Sequence, residues 1–147
     1  MASVRTFYPR RPPNVGKVIV QVAVANLLDP TRKLKFDAPV DTGAFGLVLP
    51  LASKDQLGDL PEVEMVEIET ADQRIVVAEV RGPVRIQLEG FRRVTGEAIF
   101  VEMAPGEHGY QPLVGYTVLE LSGVAVDMVS HRLIARKYYD LKSAAVA

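Results

Sequence analysis

From Lys17 onward, apolar and polar residues alternate in short runs, the period-two signature of strands that bury one face. Val18, Val20, Val22 and Val24 alternate with Ile19, Gln21 and Ala23. Leu28-Asp29-Pro30-Thr31 reads as a turn, after which Leu34, Phe36 and Ala38 alternate with Lys35 and Asp37 and lead into Val40. Leu47-Val48-Leu49 is a short apolar run ended by Pro50, and residues 51–57 suit a short helix closed by Gly58. Val66, Ile68 and Thr70 alternate with Glu67 and Glu69; a polar tip, Ala71-Asp72-Gln73, turns the chain into Arg74–Val80, which predicts a hairpin. Gly82-Pro83 is expected to break that run, so that Val84, Ile86 and Leu88 start a separate strand. A further strand is predicted from about Arg92 to Val101, and residues 104–112 have the composition of a loop. Residues 116–121 suit one or two helical turns stopped by Gly123. Val124, Val126 and Met128 alternate with Ala125 and Asp127, and Ser130-His131 turns into Leu133-Ile134-Ala135.

Eight or nine short strands and two small helices make the class all-β, with a closed or folded-over barrel as the expected architecture. Residues 1–16, rich in Arg and Pro, read as an irregular N-terminal arm; residues 17–136 form the domain, and residues 137–147 a weakly patterned C-terminal tail. One internal echo stands out. Val40-Asp41-Thr42-Gly43 precedes a short helix ending at Gly58, and Leu113-Val114-Gly115 precedes a short helix ending at Gly123. Two such half-units suggest a pseudo-two-fold within the monomer.

Composition narrows the chemistry. The chain has 147 residues, enough to bury about two-thirds of its unfolded surface in one domain. Its 17 basic and 18 acidic residues give no basic excess, so no nucleic-acid partner is expected. The absence of cysteine excludes a disulfide scaffold, a thiolate metal site and a cysteine nucleophile. With only His108, in a loop, and His131, in a turn, little room is left for a metal site built on imidazole, and no metal site is expected. The most apolar run, Val18–Leu28, contains Gln21 and Asn26 and is too short to cross a bilayer; no membrane partner and a cytoplasmic location are expected.

The chemistry-bearing segment is Ala38-Pro39-Val40-Asp41-Thr42-Gly43-Ala44, a lone carboxylate set between apolar strands and a glycine turn. Such a carboxylate is costly in apolar surroundings unless hydrogen bonds support it. Gly43 allows a close backbone approach, its N–H could reach Asp41, and the Thr42 hydroxyl could anchor the loop. Taken alone, the tripeptide reads as an Asx turn in which Asp41 merely caps the loop.

In context the segment resembles the active-site loop of the aspartic proteases, and the spacing fits the retropepsin-like, retroviral type. Two apolar residues precede Asp-Thr-Gly, and Leu47-Val48-Leu49 follows. A flap-like hairpin occupies residues 63–81. Leu113-Val114-Gly115 and residues 116–121 resemble the second apolar-apolar-Gly signature with its helix, and Val124–Val129 the closing strand. The resemblance covers roughly residues 17–135 and extends to the small stand-alone bacterial and archaeal relatives, which carry a similar Val-Asp-Thr-Gly-Ala opening. It implies an aspartic endopeptidase with Asp41, Thr42 and Gly43 in the catalytic loop. Two facing aspartates would share one proton and activate a water, so the resemblance implies no cofactor. This chain has a single Asp-Thr-Gly. Asp127, in Val126-Asp127-Met128, lacks a following Thr-Gly or Ser-Gly, so activity implies a homodimer with one Asp41 from each subunit and Thr42 bracing across the axis. Ala44, Phe45, Ala71, Asp72, Gln73 and Val114 are the substrate-binding residues implied, with a peptide or protein as substrate.

Three departures from the family pattern bear on function. Ala44 stands where the pepsin-like enzymes carry a hydroxyl that donates to the carboxylate, which implies an activity optimum nearer neutral. Phe45 replaces a polar residue and reads either as a pocket wall or as core. The hairpin tip, Ala71-Asp72-Gln73, lacks the glycines of viral flaps. Tyr138-Tyr139 is expected to anchor the tail. The alternative function is a protease-like domain, weak or inactive in hydrolysis, that serves as a protein-binding or dimerisation module.

Overall fold

The computed structural model describes residues 17–70, 72–104 and 111–137. The arm, the tail with Tyr138-Tyr139, Ala71 and the loop carrying His108 lie outside the described residues. Nine strands are present among the rest: β1 (Ile19–Asn26), β2 (Lys33–Pro39), β3 (Leu47–Pro50), β4 (Glu62–Glu69), β5 (Ile75–Leu88), β6 (Arg93–Val101), β7 (Leu113–Val114), β8 (Val124–Asp127) and β9 (Arg132–Ala135). A 3-10 helix spans Leu51–Leu57 and one α-helix, α1, spans Tyr116–Ser122. Both helices end on the glycines that the sequence marks. Gly58 and Gly123 adopt φ of 71° and 67°, a region in which a Cβ is strained.

Seven strands form one sheet in the order β2-β1-β5-β6-β3-β7, with β4 paired to β5 outside that path; β8 and β9 form a separate ribbon. The expected closed barrel is therefore not formed by ladders alone. The two ends of the path, β2 and β7, meet only at one parallel bridge, Val40 to Val114, directly before Asp41. Burial follows the alternation. Val20, Val22 and Val24 of β1 point inward with Val84, Ile86 and Leu88 of β5, Leu47 and Leu49 of β3 and Phe100 of β6. A second, smaller cluster sits beneath the hairpin base, where Ala78, Val80 and Ile99 pack with Val48, Val66 and Ile68.

One expectation is corrected. Gly82-Pro83 does not divide two strands; β5 runs unbroken from Ile75 to Leu88. The ladder with β6 instead shifts register between Arg81 and Val84, so that Gly82 and Pro83 together face Glu97. Such a bulge is where a strand tolerates a proline without its N–H. Glycine fits there because a Cβ on Gly82 would lie 3.2 Å from the Gly96 carbonyl oxygen. The long β5 carries the hairpin: its first half pairs with β4 and its second half with β1.

Asn26, at the end of β1, ties the sheet to the 3-10 helix. It is 1% exposed. Its Nδ2 donates to the Leu57 and Asp59 carbonyls at 2.9 and 2.7 Å, and its Oδ1 accepts from the Leu28 amide at 2.9 Å.

Candidate active site

The Asp41 loop is held almost entirely by main-chain bonds. The Asp41 amide donates to the Val114 carbonyl at 2.9 Å, and the Ala44 amide donates to the Asp41 carbonyl at 3.1 Å. On the other side, the amides of Gly115, Tyr116 and Thr117 donate to the carbonyls of Gly46, Ala44 and Phe45 at 2.8, 2.9 and 3.0 Å. The segment following Asp41 is thus clamped across the entry to α1. The two segments that echo each other in sequence lie against each other in space.

Two glycines make this crossing possible. A Cβ on Gly115 would lie 2.5 Å from three backbone atoms, the Ala44 oxygen and the Gly46 nitrogen and oxygen. Its φ of −91° is ordinary, so close approach and not backbone conformation demands glycine. A Cβ on Gly43 would lie 3.2 Å from Asp41 Oδ1. That same oxygen accepts the Gly43 amide at 2.9 Å.

Asp41, Thr42 and Gly43 are all exposed, so the apolar burial expected of the carboxylate is not present within one chain. The Thr42 hydroxyl makes no hydrogen bond among the described residues. Phe45 is 55% exposed, which removes the core reading of its ring. It meets Tyr116 edge-on with centroids 5.7 Å apart. Ala44 is half-buried. The Val114 side chain is fully buried in the main core, because β7 pairs with β3 there, and its carbonyl accepts the Asp41 amide.

Asp127 is occupied elsewhere. Its Oδ1 accepts the Val129 and Ser130 amides at 2.9 and 3.2 Å, and its Oδ2 accepts the Ser130 hydroxyl at 2.7 Å. The Ser130 hydroxyl is the main cause holding this carboxyl below the ordinary aspartate range. It caps the β8–β9 turn.

The hairpin tip is fastened by polar contacts instead of glycines. The Thr70 amide donates to the Arg74 carbonyl at 2.8 Å, the Thr70 hydroxyl bonds Asp72, and Arg74 Nε donates to Asp72 at 2.6 Å. The Thr70 hydroxyl, followed by Arg74, lowers the Asp72 pKa. Gln73 takes the positive φ of the turn, 64°. Asp72 and Gln73 stand exposed at the tip. Among the described residues, no group of three or more His, Asp or Glu is placed to hold a metal ion.

Sequence reasoning missed the groove beside this loop. A cavity of about 410 Å³ is lined by Phe45 and Gly46 together with residues of α1 and of the β5–β6 ladder. It joins residues far apart in the chain, so no local motif marks it.

No protein-family model matches the chain, and no curated protein does. Among solved structures, similarity is found to the EIAV protease in complex with an inhibitor, at 19% identity and TM-score 0.48, covering 80% of this chain and 92% of that one. A retropepsin-like aspartic protease from Rickettsia conorii is similar at 19% identity and TM-score 0.37, covering 82% and 91%. A Legionella pneumophila protein of unknown function is similar at 16% identity and TM-score 0.35, covering 69% and 84%. At these scores the likenesses assign neither a family nor an activity to this chain.

Proposed function

We propose that the chain is an aspartic endopeptidase that works as a homodimer of retropepsin-like subunits, each supplying one Asp41. The observation that carries this reading is the exposed Asp41 carboxylate, oriented by the Gly43 amide on a loop clamped by the Gly115 crossing. A carboxylate that merely capped a turn would not need a second chain segment locked against it. The free Thr42 hydroxyl beside it is available to brace a partner across a two-fold axis. Asp127, spent on its own turn, is no rival for the second carboxylate.

In the dimer the two carboxylates share one proton, because two close negative charges repel. The ionised member takes a proton from a bound water as its oxygen attacks the scissile carbonyl carbon. The protonated member donates its hydrogen bond, and then its proton, to the carbonyl oxygen. The resulting tetrahedral diol collapses as the first carboxyl gives its proton to the amide nitrogen, the second takes a proton back from a diol hydroxyl, and the C–N bond breaks, which restores the single shared proton. The substrate lies extended under the β4–β5 hairpin, pairing its backbone as an added strand.

The test is cleavage of a mixed peptide library between pH 3 and 8 by wild type and Asp41→Ala. Cleavage by wild type alone, with an optimum nearer neutral than pH 3, supports the reading. Equal cleavage by both proteins would overturn it.

A further inference from the structure

The groove beside the Asp41 loop has a mixed chemical character. Its walls are apolar, with Phe45, Pro83, Ile86, Val118 and Leu121 among them, and two carboxylates, Glu62 and Glu97, reach the same cavity. No lysine or arginine lines it. The two glutamates flank one point of β5. Glu62 of β4 is the ladder partner of Gly82, and Glu97 of β6 faces the Gly82-Pro83 bulge from the other side. Their backbones are therefore two strand spacings apart, about 10 Å. Gly82 adds no side chain between them, and its backbone packs close to Gly96 and Glu97.

Among the described residues neither glutamate has an ion-pair partner, and three cations of this face and the hairpin are paired elsewhere. Lys54 and Arg81 both bind Glu79, at 3.2 and 2.8 Å, and Arg74 binds Asp72. The rest of β4 adds to the negative field, since Glu64, Glu67 and Glu69 are exposed on a strand with no basic residue. The volume lies within the range of small-ligand sites. An aliphatic stem that ends in a cation matches this lining along its whole length.

We propose that the groove is a specificity subsite for a lysine or arginine side chain of an extended peptide substrate. The stem packs along Pro83 and Leu121, and the charged head lies between the Glu62 and Glu97 carboxylates. The inference rests on the peptidase reading, because Phe45 and Gly46, which line the groove, directly follow the Asp41 loop.

The experiment uses peptide pairs that differ only in lysine against norleucine at positions flanking the cleaved bond. For wild type, kcat/KM is expected to favour lysine by about three- to tenfold, in keeping with two partly exposed ion pairs, and less so at high salt. The double variant Glu62→Gln, Glu97→Gln should bring the ratio toward one, and Glu89→Gln, remote from the groove, should leave it in place. In parallel, the fluorescence anisotropy of a labelled lysine peptide is read against Asp41→Asn protein with and without the glutamate pair. Cleavage without a lysine preference would overturn the subsite and leave the peptidase reading standing. Glutamate-dependent binding without any cleavage would uphold the subsite and overturn the peptidase reading. Binding that ignores the glutamate pair would overturn the subsite.

Discussion

Replacing Gly115 with alanine adds one methyl group where the chain crosses itself, and the structure gives the size of the penalty. The new Cβ meets three backbone atoms at 2.5 Å, well inside ordinary contact. None of the three can rotate away as a side-chain tip could. Relief requires moving residues 44–46 away from residues 115–117, which stretches the three amide bonds of 2.8 to 3.0 Å that lock the loop. Overpacking costs about 1–3 kcal/mol and each weakened hydrogen bond about 0.5–1.5 kcal/mol, so the total is about 3 kcal/mol or more. For a chain of this size that corresponds to a fall of roughly 12 °C in Tm. Thermal unfolding followed by circular dichroism at fixed protein concentration measures it, with Gly96→Ala as the control. An added Cβ on Gly96 has nothing within 4 Å, so its Tm should hold within about 2 °C. If Gly115→Ala melts within about 2 °C of wild type, the clamp is not tight and the argument from close approach fails.

Three further outcomes follow from named contacts. Asn26→Ala leaves the Leu57 and Asp59 carbonyls without their donor and should cost about 2–3 kcal/mol in urea unfolding; a loss below about 0.5 kcal/mol would contradict that role. Ser122 buries a hydroxyl that has no partner among the described residues, so Ser122→Ala should raise stability by about 1 kcal/mol, and a clear loss would show that the hydroxyl is satisfied. Arg81, then Lys54, hold the Glu79 pKa below its ordinary value. A lowered carboxylate pKa contributes stability above the ordinary value and loses it as pH falls through the folded value. Glu79→Gln should therefore cost about 1 kcal/mol at pH 7, with the gap closing as pH drops below about 4; a gap constant with pH would refute the ion-pair assignment.

Much of the fold was legible because alternation is a local signal. Val20, Val22 and Val24 announce an inward face, and Gly58 and Gly123 announce helix ends. Illegible features depend on residues distant in sequence. Gly82-Pro83 reads as a break, yet β6 supplies the neighbour that turns it into a bulge inside one long strand. Asn26 looks like an interruption of an apolar run, and only the return of residues 57–59 shows what it binds. Asp41 was legible as the candidate chemical residue, and the structure places it exposed on the clamped loop. The demand for glycine at 115 was not legible, since it comes from residues 44–46 crossing it. Val114 was expected in the substrate-binding set, and only the fold shows that its carbonyl accepts the Asp41 amide. The barrel expectation overstated closure: strand count predicts a rolled sheet, but only the Val40–Val114 bridge joins its ends.

The central claim, one aspartate from each of two subunits, is tested most directly by mixing. Wild type is held at fixed concentration, increasing amounts of Asp41→Asn protein are added, and peptide cleavage is followed after subunit exchange. The account predicts that activity falls toward zero as mixed dimers with one carboxylate replace wild-type dimers, while Asp41→Asn alone is folded and inactive. Activity that stays constant under excess Asp41→Asn protein would contradict it.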